Sequence, residues 1–262
     1  MKSTRGSILA VWFVLGISVV LSSFITGNHQ RVRQEEGARK GLAWLRAHQG
    51  AFDNPGVFWV LDDINSRYCK SDSFSQELTT RFLQVPRTET ERAYFSFLSF
   101  STSTQTLPLK VEGRYDEWLL SALMCEKYPV SSTTMHILLT PEDSTGYDLT
   151  HTYLALTYLI KSACKIDRYT VSRAKDIAAQ KIAVEAKERK YEFSDLLAEQ
   201  SALLLWGGDG FLLSSDVAIS IEKAQRVSGG WPSTQSETRE NLHTSALATW
   251  FLAQKSGACP LE

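Results

Sequence analysis

Two histidines open two of the most apolar stretches of this 262-residue chain. Asp148 and His151 stand one helical turn apart at the start of "GYDLTHTYLALTYLIKSAC", Gly146 to Cys164. Asn241 and His243 head "ENLHTSALATWFLAQ", Glu240 to Gln254. An imidazole beside a carboxylate or amide suits proton transfer, metal ligation or recognition of a polar ligand group, because the ring changes charge near neutral pH and its two nitrogens differ. Glu199, inside "LLAEQSALLLW", is a third candidate, since an uncompensated carboxylate in a core is costly. His151 and His243 are the metal-ligand candidates, with zinc the ion to expect, although zinc wants three or four ligands and only two are evident. A structural alternative stands beside these readings. Asp148 and Asn241 are preferred N-cap residues, and both histidines can hydrogen-bond within the polar end of a helical body. The other histidines are weaker candidates: His29 lies in the tether, His48 beside Gln49 faces a turn, and His136 in "TTMHILLT" reads as a core or rim residue.

The elements that must position these residues read as helices. Leu42, Trp44 and Leu45 recur at helical spacing in "EEGARKGLAWLRAHQ", and "VFWVLDDINSRYC" follows across the turn "DNPG". Further helices begin near Thr88 or Thr90 after Pro86, run through "YDEWLLSALMCEKY" to Pro129, and continue from Gly146. The segment from Asp167 carries Ile177, Ala178, Ile182, Ala183 and Ala186 on one face and charges elsewhere, as an outer amphipathic helix does. Ser194 caps the next helix, which Gly207 and Gly208 end. About nine or ten helices result, some apolar all round and some on one side. Helices buried on every side need others around them, so an all-α ring of antiparallel helix pairs, an inner layer within an outer one, is expected over residues 39–262. A superhelical repeat competes, but no strict period is present.

The N-terminus is a separate signal. Lys2 and Arg5 precede "ILAVWFVLGISVVLSSFI", a charge-free run from Ile8 to Ile25 of membrane-spanning length. Residues 1–27 are therefore expected to be a signal-anchor or transmembrane helix, with the N-terminus cytoplasmic and the rest extracytoplasmic, periplasmic in a Gram-negative cell. Cleavage and secretion is the alternative; Ile25 and Gly27 make a poor cleavage site, and the apolar run exceeds the usual signal core. Residues 28–38 are polar and read as a tether or a first helical turn. A formal charge of −1 and interspersed charges argue against a nucleic-acid partner. No phosphate-binding glycine loop and no serine nucleophile elbow is present.

Two stretches add a resemblance. "KGLAWLRAHQ", Lys40 to Gln49, and "AQRVSGGWPSTQSETRENLHTSALATWFLAQ", Ala224 to Gln254, resemble the Gln/Trp repeat of the α/α-toroid superfamily of terpenoid cyclases and protein prenyltransferase β-subunits. The two stretches cover about a sixth of the chain. The resemblance implies inner helices that run the same way, with their N-termini gathered at one mouth of a cavity. The superfamily's chemical residues mostly do not carry over: in place of Asp-x-Asp-Asp only Asp62 and Asp63 adjoin, the thioester motif is absent, and of the Asp, Cys and His zinc set only the Asp and His types recur.

Four cysteines, Cys69, Cys125, Cys164 and Cys259, permit two disulfides in an exported domain, or four buried thiols. Cys164 with Cys259 is the expected pair, because both follow the ends of the two apolar helices. Two functions remain open. One is a membrane-tethered domain binding an apolar or extended ligand or a partner protein. The other is an enzyme with a cavity-mouth site around Asp148, His151, Glu199 and His243, with or without metal.

Overall fold

The computed structural model describes residues 28–48, 55–84, 88–95, 111 and 113–261. The expected membrane segment lies outside these residues; among the described ones no helix is long and apolar enough to cross a membrane. The fold is all-α. Helix α1 covers 28–47. It is followed by α2 (Pro55–Ile64, extended by a π turn Asn65–Cys69), α3 (Asp72–Gln84), α4 (Glu89–Phe95), α5 (Arg114–Leu123) and α6 (Ser132–Leu139). The C-terminal half holds α7 (Gly146–Lys161), α8 (Arg168–Glu188), α9 (Asp195–Trp206), α10 (Ser215–Ala224) and α11 (Leu242–Ser256). The only strands among the described residues are β1 (Trp231–Pro232) and β2 (Glu240–Asn241), an antiparallel ribbon with Trp231 opposite Asn241.

Helix contacts form a circuit: α2 packs on α11, α11 on α9, α9 on α7, α7 on α5, α5 on α4, and α4 on α2. These six line a common cavity, to which α1, α3, α6, α8 and α10 contribute none of the described residues. Composition explains the division. Helices α9 and α11 are buried nearly all round, whereas α8 buries Val171, Ala174, Ala178, Ile182 and Ala186 and turns most of its charges outward, apart from Lys175, which is buried and paired with Asp209. Asp167 caps α8 by accepting the Tyr169 and Thr170 amides at 3.1 and 3.4 Å.

Residues 28–38, expected as a tether or a first helical turn, are helical throughout and belong to α1. They are polar because hydrogen bonds and ion pairs hold them: Arg31 Nε donates to the Ser256 carbonyl at 3.1 Å, and Arg33 faces Glu222. The Gln225–Trp231 turn ties α1 to the C-terminal helices. Gln225 Nε2 donates to the carbonyls of Gly37 and Gly229, and Trp231, fully buried, donates its indole N–H to Ile221 at 2.7 Å. Gly229 has φ +106°, and a Cβ there would stand 2.4 Å from the Lys40 carbonyl oxygen, so only glycine lets the turn approach α1 this closely.

The cysteines form two disulfides, but not the pair expected from sequence: Cys69 joins Cys259, and Cys125 joins Cys164. The reason is helix order. Helix α9 separates α7 from α11, so the end of α7 meets the end of α5, while the end of α11 meets the end of α2.

Candidate functional site

The side chains of the polar cluster come from the first two turns of α7, α9 and α11. Ser194 caps α9 through its side chain, accepting the Leu197 amide at 3.2 Å, and this sets Asp195 as the first helical residue and Glu199 one turn later on the same face. Asn241 caps α11 by accepting the Thr244 amide at 3.0 Å, which places His243 and Thr244 in the first turn. On α7, Tyr147, Thr150 and His151 face the same region.

Asp195 is the hub. Its Oδ1 accepts from Thr244 Oγ1 at 2.6 Å and lies 3.1 Å from His243 Nδ1, while Oδ2 accepts from Tyr147 Oη at 2.7 Å. Glu199, only 6% exposed, accepts from Thr150 Oγ1 and lies 3.7 Å from His151 Nδ1. His151 Nδ1 stands 2.8 Å from the Tyr147 carbonyl oxygen, where the Nδ1–H tautomer donates, and its ring stacks on Tyr115 at 4.2 Å between centroids.

The electrostatics follow from this geometry. Burial pushes the Glu199 carboxyl above its ordinary range, against the pull of His151 and Thr150. For His243, burial acts to lower the basicity, but the Asp195 hydrogen bond and the charges of Asp195 and Glu199 outweigh it and raise it above the usual value. Burial acts upward on Asp195 as well, yet the hydrogen bonds from His243, Thr244 and Tyr147 hold it below the carboxylate range.

His151, Glu199 and His243 line one cavity of about 440 Å³. Its remaining wall is mainly apolar and aromatic, with Val57, Trp59 and Val60 from α2, Tyr94 from α4, Leu119 and Leu123 from α5, Leu154 and Tyr158 from α7, and Leu203, Ala246 and Leu247 from α9 and α11. Asp116 is a second acid on the wall and accepts from Tyr94 Oη at 2.8 Å. Such a volume falls in the range of small-molecule pockets, and an apolar wall with a few converging polar groups is their usual composition.

The other two candidates stand apart from the cavity. Asp148 accepts from Arg114 and Tyr115, so it orients the tyrosine that stacks on His151 and does not cap α7, whose N-cap is Thr145. Asn241 is the cap of α11 and does not line the cavity. The metal-ligand geometry groups His243 with Asp195 and Glu199 rather than with His151. Asp195 is the residue that sequence reasoning missed; its signal was the Asp-x-x-x-Glu spacing on one helix. Asp63 is also not at the cavity. Its carboxylate accepts the indole N–H groups of Trp206 at 3.2 Å and Trp250 at 2.7 Å and pairs with Arg67, and burial pushes it above its ordinary range.

Compared with known proteins, the chain matches no family model, no curated protein and no solved structure at a significant level.

Proposed function

We propose that this chain is a membrane-anchored extracytoplasmic α/α-toroid domain whose central cavity binds a mainly apolar small molecule and holds one polar group of it against His151, Glu199 and His243. The observation that carries the reading is the cavity itself: about 440 Å³ enclosed by a circuit of helices, apolar and aromatic along its wall, with its ionisable groups concentrated at the helix N-termini. The toroid assignment is supported by that circuit, by the helices packed on its members, and by a Gln225–Trp231 turn that performs the packing role implied by the sequence resemblance. The extracytoplasmic placement is supported by the charge-free run Ile8–Ile25 after Lys2 and Arg5, and by the pairing of all four cysteines, which needs an oxidising compartment.

Binding is tested with a dansyl-labelled long-chain alcohol, read by energy transfer from tryptophan, since Trp59 lies on the cavity wall. Transfer should saturate with the purified chain. Ala246→Phe, which fills the cavity, should weaken it by more than about tenfold while far-UV circular dichroism is kept. Transfer that never saturates, or that Ala246→Phe leaves unchanged, would refute a ligand cavity here. A reporter active only in the cytoplasm, fused after Glu262, should be silent; activity there would overturn the placement.

A further inference from the structure

We propose that Asp195, Glu199 and His243 form a binding site for one divalent transition-metal ion at the polar end of the cavity. This deepens the ligand-cavity reading and rests on it for the location of the site, but its test does not depend on ligand binding.

One oxygen of Asp195, one of Glu199 and one ring nitrogen of His243 lie within 4.8 Å of one another. An ion about 2.1 Å from each ligand spaces its ligands roughly 3–4 Å apart. Closure of the widest pair by up to about 0.8 Å brings the three into that range. A second observation points the same way. Glu199 is 6% exposed and lines the cavity, and the Thr150 hydroxyl on Oε1 is the one hydrogen bond its carboxylate takes among the described residues, which leaves Oε2 facing the cavity. A carboxylate so far withdrawn from water, with a single donor, is stabilised by a positive charge placed beside its open oxygen.

Two carboxylates and a neutral imidazole carry a charge of −2, which a divalent ion cancels within a wall of low polarity. The ligand types narrow the ion: one imidazole with two carboxylates suits zinc and its first-row neighbours better than magnesium or calcium, which take oxygen alone. The surrounding hydroxyls already hold the ligands. Tyr147 Oη and Thr244 Oγ1 bond Asp195, and Thr150 Oγ1 bonds Glu199, an outer shell of the kind that fixes metal ligands in orientation. Three protein ligands leave at least one coordination position open toward the cavity, where the polar group of a bound molecule or a water would sit. His151, 3.7 Å from Glu199, stays outside the ligand set and borders the open side.

The test uses the purified full chain, stripped with EDTA and titrated with zinc chloride by calorimetry, with elemental analysis after gel filtration. One equivalent should bind. Asp195→Asn, Glu199→Gln and His243→Ala should each weaken it by more than about 100-fold, beyond the 10–100-fold typical of a lost outer-shell bond. His151→Ala should keep the full equivalent. Zinc should also protect His243 in the unmutated chain from diethyl pyrocarbonate while leaving His29 reactive, a readout that does not depend on the variants folding. No stoichiometric binding, binding unaffected by the three ligand variants, or equal modification of His243 with and without zinc would each overturn the site. Saturable dansyl transfer in the EDTA-stripped chain would at the same time preserve the ligand cavity if the metal site fails.

Discussion

Removing the Asp63 carboxylate tests how the cavity wall is held. Asp63 Oδ2 accepts the Trp250 indole at 2.7 Å, and Oδ1 accepts the Trp206 indole at 3.2 Å and pairs with Arg67 at 2.7 Å. The two tryptophans stand on α11 and α9, and both pack edge-on against Trp59 of the cavity wall, with centroids 4.9 and 5.3 Å from it. Asp63→Ala strands two buried indole donors. At about 1–3 kcal/mol for each unsatisfied buried group, the loss is about 2–6 kcal/mol. Arg67 adds little, because its side chain is 42% exposed and can turn to water. With a urea slope of about 2 kcal/mol/M, the unfolding midpoint should fall by about 1–3 M with the slope unchanged. Asp63→Asn should fall between that variant and the parent, since it keeps one carbonyl acceptor. Glu188→Ala, on the exposed face of α8, should stay within about 0.5 kcal/mol of the parent. A midpoint for Asp63→Ala indistinguishable from that of Glu188→Ala would show that the indoles find other partners and that Asp63 does not hold the wall.

Lys161 and the disulfides supply two more expectations. Burial, with Arg67 and Lys175 adding to it and Asp63 opposing, pulls the Lys161 ammonium down to about 8 from its ordinary 10.5. Competitive acetylation followed by mass spectrometry should therefore reach half its maximal rate at Lys161 near pH 8; a midpoint at 10 or above would refute the assignment. The sign for stability follows: the unfolded chain holds the extra proton between about pH 8 and 10.5, so the contribution of Lys161 to unfolding free energy rises with pH across that window. Of the bridges, Cys69–Cys259 spans 190 residues and Cys125–Cys164 spans 39, so chain entropy assigns them about 5 and about 4 kcal/mol. Paired serine replacements at 69 and 259 should lower the thermal midpoint more than the pair at 125 and 164, and mass mapping of the unreduced chain should find these two links. A Cys164–Cys259 peptide would overturn the helix order.

What the sequence made legible was the character of single helices, and what it hid was their neighbours. Helices α7, α9 and α11 stand out because each is apolar nearly all round after a polar first turn, and that pattern alone predicts a buried helix whose ionisable groups collect at its start. Hence His151, Glu199 and His243, chosen from sequence, line one cavity. Helical spacing also placed Asp148 on the face of His151, but spacing says nothing of Arg114, which comes from α5 and draws that carboxylate away. The same blindness affected the cysteines, since the ends of α7 and α11 were compared without knowing that α9 runs between them. Asp195 was hidden for a subtler reason. After a serine cap, an aspartate in the first turn is fully accounted for by the helix dipole, so nothing local asks for a second role. Only the meeting of α9 with α7 and α11 gives it one, through Tyr147, His243 and Thr244. A residue with a sufficient local explanation is therefore where a site is most easily missed. Where the starts of buried helices meet, as those of α7, α9 and α11 do, every acidic first-turn residue is a candidate for the same site.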